Sequence, residues 1–163
     1  MNLKSRLAGV VTIAGLGAIV AGCAAIGIGG EPDERWADFQ TWEKVIDGQT
    51  EDPTNFIGNV HRGPTGFRNV YVNDIGLETV NSSEAGRVFP AGSILVKEQF
   101  KNEADYLAGK GAAHTVSIKT DDTTWGWADS LSSSAGASQF CSGCHLIASQ
   151  HDSMFTGGGY DEK

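Results

Sequence analysis

Near its C-terminal end the chain reads Phe140-Cys141-Ser142-Gly143-Cys144-His145, and no other stretch constrains its fold as strongly. Two cysteines three apart, followed at once by a histidine, form the attachment pattern for a c-type haem. Each thiol adds to a vinyl group of the macrocycle, and the imidazole of the next residue binds the iron. On a helix, positions i, i+3 and i+4 share one face, so Cys141, Cys144 and His145 can all meet one flat ring. Two other uses of this spacing are weaker. A closed zinc site built from Cys141, Cys144 and His151 lacks a fourth ligand, because the chain has no second CxxC. A thioredoxin-like redox pair belongs in a βαβ setting, which is not what precedes Phe140. One covalent haem c is therefore expected, with Cys141 and Cys144 as its attachment points and His145 as the axial ligand to iron.

The opposite end reads as an export signal. Lys4 and Arg6 precede an apolar run from Leu7 to Val20 that is too short to span a bilayer. The run closes on Val20-Ala21-Gly22-Cys23, which resembles the lipobox of bacterial lipoproteins, where the cysteine is acylated and becomes the new N-terminus. An ordinary secretory signal with a leftover cysteine, or an uncleaved anchor, is the plainer alternative. Residues 1–22 are thus expected to be a lipoprotein signal peptide and Cys23 the lipidation site of an exported, periplasm-facing membrane lipoprotein. Several acyl chains on one residue anchor stably where a single chain is marginal.

Removing 22 residues from 163 leaves 141, about one domain. Lys4 and Arg6 go with the signal, so 12 basic residues become 10 against 20 acidic ones, a net charge of −10. Such an acidic chain excludes nucleic acid as a partner and electrostatic docking on anionic lipid. One of the three cysteines goes to lipid and two to haem, which leaves none for disulfides.

Residues 23–32 read as a flexible tether, 33–158 as the haem domain and 159–163 as a tail. Trp36, Phe39, Trp42 and Ile46 recur at helical spacing, with Gly48 to close the helix. Gln49 to Gly66 is a turn-rich loop that includes His61, which is expected at the surface. Alternation of period two then predicts strands over Phe67 to Val72, Ser93 to Phe100, His114 to Lys119 and Trp125 to Trp127. In the second strand Ile94, Val96 and Phe100 face one side, and Leu95 and Lys97 the other. Asp74 to Val80 suits one or two helical turns, and Lys101 to Gly111 a loop or short helix. Leu131 to Ser138 is a linker, and a haem-bearing helix runs from about Gln139 to His151. The four tryptophans are most simply core. The fold class is mainly β (α+β): a curved antiparallel sheet with a few flanking helices and a C-terminal haem-bearing helix.

That placement excludes two common cytochromes. Class I cytochromes are helical, carry CxxCH near their start and supply an axial methionine well downstream. Here the only methionine past Met1 is Met154, nine residues after His145. Along a continuing helix it lies roughly 13 Å away on the proximal side, out of reach of the distal face. Four-helix cytochromes c′ lack these alternating strands. With no evident sixth ligand, the distal position is expected to be open to small ligands.

Four blocks now carry a resemblance. They are Phe67-Arg68-Asn69-Val70-Tyr71-Val72-Asn73, Phe89 through Glu98, Cys141 through His145, and Asp152-Ser153-Met154-Phe155-Thr156. In order and spacing they resemble the cytochrome P-460 family, which includes the cytochromes c′-beta. The resemblance implies a curved antiparallel sheet, often dimeric, with His145 as proximal ligand. It matches Lys97 to a lysine that enzymatic members join covalently to the haem edge, and Arg68 to a distal-side arginine. Those members oxidise hydroxylamine. The c′-beta members bind nitric oxide and other diatomics in an apolar pocket capped by phenylalanine, for which Phe56, Phe67 and Phe89 are candidates here.

The chain departs from the enzymatic pattern at Thr115, which stands where those members carry a carboxylate that relays protons. His114 beside it can titrate near neutral pH and is the candidate replacement, against the simpler reading of a packed strand histidine. Lys97, Arg68 and His114 are thus the candidate catalytic residues. Without the resemblance, Lys97 is an ordinary strand lysine and Arg68 a carboxylate partner. Asp152 is expected to cap or hydrogen-bond near the proximal helix. Two functions follow as expectations: an enzyme acting on hydroxylamine or a related small nitrogen species, or a non-enzymatic nitric-oxide binder, with simple electron transfer a third. The resemblance implies a homodimer as one assembly, which the sequence by itself does not decide, and nothing in the chain names a redox partner.

Overall fold

The structure is a computed structural model that describes residues 30–49, 67–82, 84 and 86–156. Period-two alternation builds its centre. Phe67–Val72 (β2), Ile94–Phe100 (β3), Ala113–Lys119 (β4) and Trp125–Ala128 (β5) are strands where the sequence predicts them. A further strand, Glu43–Gln49 (β1), joins them in one antiparallel sheet of order β1-β2-β3-β4-β5. The fold is mainly β with a few short helices.

Register decides which side chains share a face, because directly opposed residues of an antiparallel pair point the same way. Lys97 opposes Val70 and Thr115, Leu95 opposes Val72 and Ser117, and Ser117 opposes Trp127. Arg68, Leu95, Lys97, Thr115 and both β5 tryptophans therefore lie on a first face. Tyr71, Ile94, Val96, Glu98, His114 and Ile118 lie on the second.

Each face has its own core. Val70, Val72, Leu95, Trp125 and Trp127 pack with Val80, Phe89 and Met154 on the first. Val80 comes from α1 (Asp74–Asn81), which starts where Asn73 Oδ1 accepts from the Gly76 N–H at 3.2 Å. The same oxygen accepts from the Ile94 N–H at 3.0 Å and so ties the helix start to β3. On the second face Tyr71, Ile94, Val96, Val116 and Ile118 pack with Trp36 and Phe39. The Trp36 indole is wholly buried, and its N–H donates to the Leu131 carbonyl at 2.7 Å. Trp36, Trp125 and Trp127 are core residues, as expected, and Trp42 is partly buried against the second core. A short α2 (Glu103–Ala108) occupies the stretch read as loop or helix.

The helix expected from Trp36 to Gly48 is corrected. Turns lead into a 3-10 segment, Phe39–Thr41, and the chain then extends as β1. Trp36 and Phe39, three apart, suit a 3-10 turn as well as an α-helix. A helix of about a dozen residues is marginal alone, and pairing with the open edge of β2 satisfies the same backbone groups. Gly48 does not end a helix. It has φ 68° and sits where the β1–β2 register slips between Ile46 and Gln49, as a bulge glycine.

Residues 1–29, with the signal and Cys23, lie outside the described residues, as do Phe56, His61, the loop that holds them and the tail from Gly157. Among the described residues no helix is long and apolar enough to cross a membrane.

Candidate functional site

Ser138 opens α3 (Gln139–His145): its Oγ accepts from the Cys141 N–H at 3.2 Å. The single helix expected to run on to His151 is divided. It is α-helical to His145 and 3-10 over Leu146–His151, with Ala148 outside helical geometry at φ −95°, ψ 22°. Asp152 and Ser153 then reverse the chain at φ 54° and 64°. Left-handed backbone costs a non-glycine residue about 1–2 kcal/mol, so the reversal needs outside support. Asp152 supplies it. Its carboxylate accepts from Lys119 Nζ at 2.6 and 2.7 Å and from the Phe89 N–H at 2.9 Å. Asp152 therefore caps the haem-motif segment, as expected, and also ties it to β4.

The reversal has two consequences. Met154 enters the first-face core with 3% exposure, beside Trp125 and Trp127. The expectation that it lies farther along one straight segment is corrected, because the left-handed turn brings it back. The Ser153 carbonyl also comes to 2.6 Å from His145 Nδ1. A carbonyl only accepts, so Nδ1 carries the proton and donates, which in the neutral ring leaves the lone pair on Nε2. This is the tautomer and the partner of a histidine that ligates metal through Nε2. The His145 ring lies 4.3 Å from the Trp127 ring and 5.0 Å from Phe155, centroid to centroid.

Cys141 packs against the first-face core, and both motif thiols are partly buried and not joined to each other. Two thiols and one imidazole of fixed tautomer fit the donor set that a c-type haem requires. Among the described residues no three of His, Cys, Asp and Glu converge as a metal-binding group.

The other expected residues divide by strand parity. Arg68, buried, and Lys97, partly buried, stand on the first face, against which Cys141 and His145 also lie. Thr115 opposes Lys97, and its Oγ1 accepts from Gln99 Nε2 at 3.4 Å. His114 stands apart from these. One residue from Thr115, it points to the second face, where its Nε2 is 3.5 Å from Glu98 Oε1 and its ring sits 5.6 Å from Phe39, edge-on. This is the position of a packed strand histidine, the simpler of its two readings. Phe67 stacks on Tyr106 at 5.3 Å, and Phe89 is a fully buried core residue set edge-on to Trp125.

Two groups escape a reading of the sequence. Glu98 is 6% exposed and accepts from Asn69 Nδ2 and the Tyr71 hydroxyl at 3.1 Å each, and from Gln40 Nε2 at 3.4 Å. Burial pushes this carboxyl up, but the His114 ring and these three donors outweigh it and hold the pKa down to about 2. Its parity with Ile94, Val96 and Phe100 marks it as an inward carboxylate. Lys119 is the other, a strand-end lysine with its side chain wholly buried against Asp152. Nothing local marks it, because its partner is 33 residues away.

Compared with known families, the chain matches the cytochrome P460 model over residues 36–156. No curated protein matches it significantly.

Proposed function

The chain belongs to the cytochrome P460 family, a family of haem cytochromes, and from that premise we propose that it is a mono-haem c-type cytochrome whose open distal site binds small nitrogen species, nitric oxide first among them. Cys141 and Cys144 would hold the macrocycle, their thiols being the groups that form thioether bonds to a c-type haem. His145 would offer its Nε2 to the iron. The observation that carries this reading is the hydrogen bond from His145 Nδ1 to the Ser153 carbonyl, which selects the ligating tautomer. When bound, the haem supplies an iron centre with one position for an exchangeable small ligand. Arg68 and Lys97 are the cationic donors of the first face, suited to hydrogen-bond a polar or partly anionic ligand.

Oxidation of hydroxylamine is the second reading, and the position of Lys97 on that face favours it. It needs a proton acceptor within hydrogen-bond reach of the substrate nitrogen. The strand neighbours of Lys97 on its face are Val70, Leu95, Gln99 and Thr115, with Thr115 at the position where the enzymatic members carry a carboxylate. On that departure at Thr115 binding is taken as the first reading, and slow turnover at best is expected of the second. Anchoring through acylated Cys23, facing the periplasm, is part of the same proposal and rests on the lipobox-like Val20-Ala21-Gly22-Cys23.

Optical titration of the ferrous protein with nitric oxide, alongside acid-acetone extraction and a hydroxylamine assay, tests these readings on the wild type and Lys97→Leu. Both proteins are expected to bind nitric oxide and to keep their haem with the polypeptide. Haem that passes into the solvent ends the thioether assignment, and a ferrous protein inert to nitric oxide ends the binding reading. A red-shifted main band and hydroxylamine turnover, both lost in Lys97→Leu, establish the enzyme in its place.

A further inference from the structure

We propose that the Lys119–Asp152 pair is a positioning device: it holds the Ser153 carbonyl against His145 Nδ1 and so sets how strongly that imidazole donates to iron. The proposal rests on His145 being the axial ligand.

The device is anchored at both ends. Lys119 closes β4, where its N–H donates to the Ser93 carbonyl and its own carbonyl accepts from the Gly92 N–H, each at 2.8 Å. Its side chain is wholly buried, and Nζ lies 5.2 Å from the centre of the Trp125 ring. Both carboxylate oxygens of Asp152 accept from Nζ, and Oδ2 also accepts from the Phe89 N–H. Asp152 is thereby fixed in its left-handed conformation. The adjoining Ser153, also left-handed, donates its N–H to the Ala148 carbonyl at 2.9 Å and offers its carbonyl to His145. The acceptor of the ligand's proton belongs to the residue next to Asp152 in the chain.

Stability alone is a poor reason for such a pair. Replacing a buried ion pair by apolar groups of similar volume is often neutral or stabilising, so what the pair contributes here is geometry. That geometry has a chemical consequence. A hydrogen bond from the remote ring nitrogen raises the basicity of a ligating histidine, and a more basic ligand favours the ferric state.

The test uses the haem-loaded protein with Asp152→Asn. Asparagine tolerates the left-handed backbone and keeps an oxygen for the Phe89 N–H, but it loses the charge that holds Lys119. The expected result is a higher reduction potential, with the ferrous-to-ferric ratio shifted about tenfold, or about 59 mV for one electron. The iron–histidine stretching frequency in resonance Raman is expected to fall with it. If the single variant does not fold, the double variant Lys119→Met with Asp152→Asn leaves no uncompensated charge and must show the same two shifts. Arg87→Met is the control. Arg87 donates to the carbonyl of Thr156 in the same segment and to those of Thr79, Val80 and Ser82, so its loss is expected to lower thermal stability and leave the potential unchanged. A folded, haem-loaded Asp152→Asn or double variant with wild-type potential and frequency overturns the proposal, as does an equal shift in Arg87→Met. An unchanged ferrous spectrum in His145→Ala removes the axial-ligand reading itself, and this proposal with it.

Discussion

Glu98 shows how a single side chain couples the sheet to pH. Burial alone would raise its pKa, yet four neighbouring groups bind the charged form and bring it to about 2, against an ordinary 4.5. A carboxyl depressed on folding contributes its full stability above the unfolded value and loses it as pH falls through the folded one. The window is therefore from pH 4.5 down to about 2. Wild type is expected to lose on the order of 2 kcal/mol there through this group, and Glu98→Gln to lack that share of the acid limb. Urea unfolding at pH 7 and again near the bottom of the window checks it. The stability gap between the two proteins is expected to shrink with acid, and a constant gap refutes the assignment.

Among the elements, β1 depends most on one residue. Gly48 takes φ 68° in the bulge, and its N–H donates to Asn69 Oδ1 at 2.9 Å. A Cβ built there meets the Tyr106 ring at 2.8 Å, while the Tyr106 hydroxyl donates to Asp47 Oδ1 at 2.9 Å and so cannot easily withdraw. Gly48→Ala is expected to cost about 2 kcal/mol or more, from the left-handed backbone and the collision together. Gly109 ends α2 at φ 60° with nothing within 4 Å of a Cβ, so Gly109→Ala carries only the backbone share. Thermal unfolding is expected to rank Gly48→Ala clearly below Gly109→Ala. Equal losses mean that Tyr106 yields and the packing argument fails.

Across the whole molecule, the sheet is covered unequally. Its central strands are buried on both sides, but α3 holds no fully buried residue, and Phe140, Leu146 and Ile147 around the motif are exposed. A segment with few buried apolar contacts opens cheaply, and a large apolar group joined to it supplies the missing burial. In the chain with Cys141→Ser and Cys144→Ser, amides 139–147 are expected to exchange rapidly while those of β2 to β4 stay protected. In the haem-loaded wild type the 139–147 amides are expected to slow markedly. Hydrogen exchange read by mass spectrometry distinguishes the two, and equal protection in both proteins refutes the idea that haem completes this side.

The sequence alone determined what depends on near neighbours. Strands β2 to β5 follow from period two, a property of a few adjacent residues. The donor set of Cys141, Cys144 and His145 follows from helical spacing within five. Tertiary structure decided the rest. Trp36 to Gly48 became turns and a strand because an open edge of β2 was there to pair with. His114 stands on the face opposite Lys97 although it adjoins Thr115, because one residue along a strand is enough to change faces. Ser153 meets His145 after a left-handed turn that the local chain disfavours and whose Asp152 pairs with Lys119, 33 residues away. Ladder bonds and buried ion pairs draw their energy from groups far apart in the chain, so the geometry of the site is settled by the fold rather than by the motif.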